Sequence, residues 1–143
     1  MHARQTIREA IAALVTGLAT TGANVYQSRV YPHDTLPCLT IYAVNEPVVD
    51  VIFNGTQSRE LSLVIEGRAK ATSNLDDTLD TIAAEVEAAV MADQYLTGRV
   101  KLIELSETEI DYFDEIEQPA GIVKLTFIVS YRTNETDPTT LID

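Results

Sequence analysis

Apolar residues recur at helical spacing in two stretches of the chain. In residues 73–93 they follow steps of four, three, four and four, which places them on one side of a helix. These apolar positions are Leu75, Leu79, Ile82, Val86 and Val90. A second such stripe, in residues 3–18, consists of Ile7, Ile11, Leu14 and Leu18. The pattern therefore predicts two amphipathic helices, each with one buried face.

The second helix is acidic on its polar side. Ser73 or Asn74 is expected to cap its first turn, and the face opposite the stripe carries Asp80, Glu85 and Glu87. Residues 74–93 contain no Lys or Arg, so pairing at i,i+4 cannot stabilise this helix. Packing of the apolar stripe must hold it in place.

Other stretches favour strands. Leu61, Leu63 and Ile65 alternate with polar residues, which is typical of a strand with one buried face. In residues 100–112 this alternation changes phase, which predicts a β-bulge or a sharp twist near Ile103. The Asn54-Gly55 pair predicts a turn. The predicted strands span residues 25–30, 38–44, 48–53, 59–68, 100–112 and 121–132.

These elements predict an α+β fold. We expect two helices packed on one face of a sheet of about five strands, largely antiparallel, or mixed if the second helix forms a crossover. With 143 residues the chain is predicted to form one domain over residues 1–132. Residues 133–143 are polar and lack periodicity, which predicts a flexible tail.

The charge of the chain limits its partners. Ten basic and 22 acidic residues give a net charge of −12, which argues against specific nucleic-acid binding through phosphates. Residues 76–117 contain thirteen acids and two bases, Arg99 and Lys101. This acidic stretch is interpreted either as a solvated face or as a surface that avoids DNA or meets a basic partner. No run reaches the roughly 18 apolar residues of a membrane span, so no membrane partner is expected.

Residues suited to catalysis or metal binding are few. His2 and His33 lack neighbours at metal-ligand spacing, and both are interpreted as surface residues. Cys38 begins an apolar stretch and is interpreted as a small core residue. A single cysteine precludes an internal disulfide and suits a reducing cytoplasm. Neither catalytic residues nor a cofactor or metal site is therefore predicted.

Residues 48–53 form an almost continuous apolar run between a proline and a turn. One face of this run should be covered by the core, while the other has no evident cover in so small a domain. Such a surface usually marks a protein–protein contact, although burial of both faces is the alternative. The predicted interface residues are Val48, Val49, Val51, Ile52 and Phe53.

Several sequence segments, taken in the order in which they occur, resemble a known protein family. They are NVYQSRVYP (24–32), LPCLTIY (36–42), LSLVIEGRAKA (61–71), NLDDTLD (74–80) and GIVKLTFIVSYRT (121–133). Their order and spacing resemble the tail terminator proteins of long-tailed bacteriophages, the minor tail protein U-like family. The resemblance covers about residues 4–133.

This resemblance implies a structural role in the virion tail, with assembly in the host cytoplasm. Such proteins form a hexameric ring on the last turn of the tail tube, end its polymerisation and present the surface that joins the head. The implied partners are further copies of the chain, the major tail tube protein and head–tail connector proteins. The alternatives are another connector or stopper protein and, from a different class, a small cytoplasmic enzyme that uses the carboxylates between Glu104 and Glu117.

Overall fold

The computed structural model describes residues 1–27, 36–71, 73–113 and 120–142. The described part of the chain contains two helices and a mixed sheet, so the predicted α+β class is confirmed, with seven strands in place of about five. The helices are α1 (Ala3–Leu14) and α2 (Leu75–Met91). The strands are β1 (Val25–Tyr26), β2 (Cys38–Asn45), β3 (Val48–Val51), β4 (Thr56–Lys70), β5 (Leu102–Phe113), β6 (Ala120–Asn134) and β7 (Asp137–Ile142).

The sheet is organised around β4 and β6. These strands pair antiparallel along their whole length, from Thr56 opposite Asn134 to Lys70 opposite Ala120. The strand order is β1-β2-β4-β6-β5; β3 pairs with the first part of β4, and β7 pairs with the last part of β6. Only β1 and β2 pair in parallel among the described strands. The predicted crossover through α2 connects β4 to β5, which run in the same direction with β6 between them.

Both helices cover one face of this sheet. On that face Leu61, Leu63 and Ile65 of β4 lie opposite Val129, Phe127 and Leu125 of β6, and all six are fully buried. The predicted stripe of α2 packs there too, with Leu79, Ile82, Val86 and Val90 buried. Two glycines let α2 approach the strands closely, because a Cβ at Gly67 would lie 2.7 Å from the Ile82 side chain and one at Gly121 equally close to Leu79.

The helix ends differ from the predictions. α1 ends at Leu14 rather than near residue 18, because the chain turns at Gly17 and Leu18 forms a β-bridge with Gly22. At the start of α2, Asn74 occupies the N-cap position with a positive φ of 58°, and its side chain makes no capping bond. Its carbonyl oxygen accepts hydrogen bonds from Thr78 instead. Glu85 lies on the predicted solvent face, but it is half-buried and accepts two bonds from Thr20.

Two strand predictions also differ in detail. The register shift of β5 lies between Leu105 and Glu107, slightly beyond the predicted position at Ile103. In the segment predicted as a flexible tail, β6 continues to Asn134 and Asp137–Ile142 forms β7. The Asn134 side chain accepts two hydrogen bonds from Thr136, and these bonds stabilise a turn that directs the chain back along β6. Such a turn leaves no periodic pattern in the sequence. Of the strand predicted over 25–30, Val25–Tyr26 forms β1, and residues 28–30 lie outside the described residues, as do the turn containing His33 and the acidic turn at 114–119.

Candidate assembly interface

Residues 48–53, here called the apolar hairpin, lie at one end of the sheet and are exposed. They comprise β3 and the first residues of the turn into β4. Phe53 is fully exposed, at 106% of its reference area. The exposed fractions of Val48, Val49, Val51 and Ile52 lie between 44% and 53%. The expectation that the core covers one face of this segment is therefore wrong, because no side chain of the five is buried.

Two adjoining turns hold the apolar hairpin. The Gly55 N–H donates to the Ile52 carbonyl at 2.8 Å, and Gly55 has a φ of 87°, which strongly favours glycine. The predicted Asn54-Gly55 turn is thus confirmed. The Gly55 carbonyl accepts the Glu135 N–H from the turn between β6 and β7 at 2.7 Å. The two turns consequently support each other at the end of the long β4–β6 pair.

A buried polar cluster lies at the root of the apolar hairpin. Glu46, two residues before β3, has only 3% of its side chain exposed. It accepts hydrogen bonds from Arg59 of β4 at 2.8 Å, from Arg4 of α1 at 3.3 Å and from the Tyr131 hydroxyl of β6 at 2.5 Å. Burial, reinforced by the bond to Glu46, raises the pKa of Tyr131 well above its usual range. The carboxylate therefore joins the first helix and two strands beside the hairpin.

His2 completes this cluster and caps α1. Its Nδ1 accepts the Arg4 N–H at 3.0 Å, and its Nε2 lies 3.2 Å from a guanidinium nitrogen of Arg59. His2 is partly exposed, as a surface residue is, but the sequence interpretation did not predict these two polar contacts. Burial lowers the pKa of the imidazole, and the positive charges of Arg4 and Arg59 lower it further against the opposing effect of Glu46.

We expect acid to weaken the fold through His2. Because the folded-state pKa lies below the ordinary value of 6.5, the unfolded chain takes up this proton first as the pH falls. The free energy of unfolding should therefore decrease as the pH falls from 6.5 through the folded-state pKa. The decrease is at most the contribution of one helix cap, about 1 kcal/mol. Urea unfolding at a series of pH values should show this loss in the wild type. His2→Asn keeps a capping acceptor without the titration, so an equal loss in that variant above pH 5 would contradict the assignment.

The carboxylates of β5 lie on the face of the sheet away from the helices. Paired residues of adjacent strands point to the same face, and these acids lie opposite residues of β6 that do not face the helices. We call them the acidic row: Glu104, Glu107, Glu109 and Asp111. All four are exposed, as expected for a solvated strand. No group of three or more metal-binding side chains occurs among the residues that the structure describes.

The other face of β5 carries an exposed apolar surface that the sequence interpretation missed. Leu105, Ile110 and Tyr112 lie opposite Phe127, Val123 and Gly121, on the side of the helices. Their exposed fractions are 36%, 44% and 54%, because α2 packs mainly over β4 and β6, although the Tyr112 hydroxyl donates a hydrogen bond to Asp76 at the start of α2. We call these three residues the β5 ledge. In the sequence, the change of phase in residues 100–112 indicated which face of the strand these apolar residues share. It did not show that the strand lies at the edge of the sheet.

The described residues line two shallow hollows, among others, on the outer face of the sheet. One, of about 230 Å³, lies beside the apolar hairpin; the other, of about 140 Å³, lies at the opposite end of the long strands. The first is lined by Val49, Ser58, Arg59, Glu60, Lys101, Ser130, Tyr131 and Arg132. Cys38 contributes to neither, since it is buried in β2 as predicted, and burial raises the pKa of its thiol. No helix in the described ranges has the length and apolar character to cross a bilayer.

Comparison with solved structures finds chains of similar structure. A chain from "Virion of native gene transfer agent (GTA) particle" is similar in structure, with a TM-score of 0.46, 16% sequence identity and coverage of 92% of each chain. No protein-family model and no curated protein matches the sequence. A likeness at this level assigns no function, so the surfaces described above carry the functional argument.

Proposed function

We propose that this chain is a structural subunit of a phage-like virion, and specifically a tail terminator that forms a ring on the end of the tail tube. The apolar hairpin is the observation that carries this proposal. Five apolar side chains in six consecutive residues are exposed, and the Phe53 ring has no cover from its own chain. Exposed apolar surface of this kind usually marks an assembly contact. The ordered sequence phrases quoted above support the choice of the tail terminator family.

A terminator needs surfaces of two kinds. A tube grows through head-to-tail contacts that do not close, so ending it requires a subunit that matches the tube on one side and differs on the other. Within a ring, each subunit also needs two different lateral patches. The apolar hairpin is proposed as one lateral patch. Under this proposal the partners are other copies of the chain, six subunits in total by resemblance to the family, together with the tail tube protein and the head–tail connector proteins.

The acidic surface suits the passage of DNA. The acidic row and the exposed acids of α2 concentrate negative charge on a chain with a net charge of −12. If these acids line the hole of the ring, repulsion between like charges lets DNA pass without adhering. A basic lining in an assembled ring would contradict this placement.

We further propose that the chain is not an enzyme; saturable binding of a small ligand or divalent cation by the described carboxylates would oppose that proposal.

Tails assembled without this protein test the proposed function. Electron microscopy of such preparations should show tubes of excessive length, because nothing ends their growth. Adding the purified chain during assembly should restore a uniform length. Tails of normal length that lack heads would instead identify a connector or stopper protein.

A further inference from the structure

We propose that the apolar hairpin of one copy docks along β5 of the next copy, so that the lateral contact of the ring runs head to tail. This inference rests on the proposed ring and assigns its second lateral patch. β5 is the last strand in the order β1-β2-β4-β6-β5, and its outer edge pairs with no strand in the described part of the chain. Among the described residues this edge is therefore open to a further strand, and it lies beside an exposed apolar surface, the β5 ledge.

The apolar parts of the two patches are suited to each other. The β5 ledge offers Leu105, Ile110 and Tyr112, which α2 leaves partly uncovered. The apolar hairpin offers valine, isoleucine and phenylalanine side chains on both of its faces, since Val48 lies opposite Arg59 whereas Val49 lines the hollow on the outer face. Burial of such side chains between two copies removes apolar area from water at both patches.

The charges beside these apolar residues are opposite in sign. The hollow next to the apolar hairpin is lined by Lys101 and Arg132, neither of which makes an ion pair with another described residue, and by one exposed acid, Glu60, which leaves the lining net positive. The acidic row of β5 presents four exposed carboxylates, and the one base directly opposite any of them on β6 is Lys124, across from Glu109. Pairing the hollow of one copy with the acidic row of another joins unlike charges.

Charge also selects against a symmetric contact. Two copies that met through their β5 edges would place one acidic row against another, and like charges across an interface are unfavourable. A head-to-tail contact avoids this repulsion, and an open chain of copies keeps one free hairpin and one free β5 edge that can meet to close the ring. The occupant of the β5 edge is therefore assigned as the apolar hairpin of a second copy.

Mixing two variants tests this assignment. Phe53→Asp removes the hairpin patch and leaves β5 intact, whereas Ile110→Asp removes the β5 patch and leaves the hairpin intact. Each variant alone should lose the self-association of the wild type, by about a hundredfold or more in the dissociation constant. A mixture of the two should form a 1:1 dimer in sedimentation velocity, because one intact hairpin meets one intact β5, and should not proceed to rings.

Controls keep the result decisive. Tyr95→Asp changes an exposed aromatic residue outside both patches and should associate as the wild type does. Leu105→Asp takes the place of Ile110→Asp if circular dichroism shows that the latter is unfolded. Wild-type association by either β5 variant, or a mixture that stays monomeric although the wild type forms rings, would overturn this contact and leave the proposed function standing. A wild type that is monomeric at every concentration would overturn the ring and this contact together.

Discussion

Phe53→Asp should give a folded chain that no longer self-associates. The Phe53 side chain is fully exposed in the single chain, so its replacement removes no internal packing and should change the free energy of unfolding by about 0.5 kcal/mol or less. Under our proposal the Phe53 side chain is buried between two copies in the assembled state. An aromatic residue at the centre of a contact contributes about 2–4 kcal/mol to binding. An aspartate there also adds charge to an apolar contact. Mass measurement over a range of concentrations should show a monomer where the wild type is a ring.

A matched variant separates this effect from a general effect of added charge. Tyr95→Asp adds the same charge at a half-exposed aromatic residue in the loop after α2, away from the apolar hairpin. It should form rings as the wild type does. Unfolding of Phe53→Asp would show that the residue belongs to the core, and retained assembly of that variant would remove the apolar hairpin from the interface.

Glu46→Ala should cause the largest loss of stability among single substitutions in the polar cluster. The carboxylate is 3% exposed and Arg59 13% exposed, so its removal leaves the Arg59 charge buried with no acidic partner among the described residues. Breaking a buried ion pair from one side costs about 3–5 kcal/mol. The Arg4 pair adds little to this figure, because Arg4 is more exposed. Urea unfolding should show a lower midpoint with an unchanged slope.

Glu66→Ala is the control for this substitution. Glu66 also pairs with an arginine from a neighbouring position on β4, Arg68, at 3.3 Å, but a third of the Arg68 side chain is exposed. Water screens that pair and can solvate the arginine that remains, so the loss should be about 1 kcal/mol or less. Equal losses for Glu46→Ala and Glu66→Ala would contradict the special role of the buried cluster.

The elements with local periodicity were the ones that the sequence predicted well. The stripe of α2 and the alternation of Leu61, Leu63 and Ile65 each place apolar residues on one face, so their burial follows from the spacing alone. The core position of Cys38 follows in the same way. Even the bulge in β5 left a signal, because a shifted register changes the phase of the pattern.

Features that depend on contacts between distant residues were missed. Glu46 receives bonds from residues 42 positions earlier and 85 positions later, and no local pattern records such partners. The exposure of the β5 ledge depends on which strand lies at the edge of the sheet, which is a property of the topology. For the apolar hairpin, the sequence predicted the residues and the turn but not that both faces would be uncovered. Its role in assembly stays a prediction.

The continuous pairing of β4 with β6 affects how fast rings can form. The apolar hairpin is joined to the ordered start of β4, and its turn is bonded to the β6–β7 turn, so it is pre-organised before it meets another copy. Docking then requires little loss of conformational entropy in the backbone. Association should consequently be limited by the frequency of encounters between correctly oriented copies, without a slow preceding step in which a loop becomes ordered.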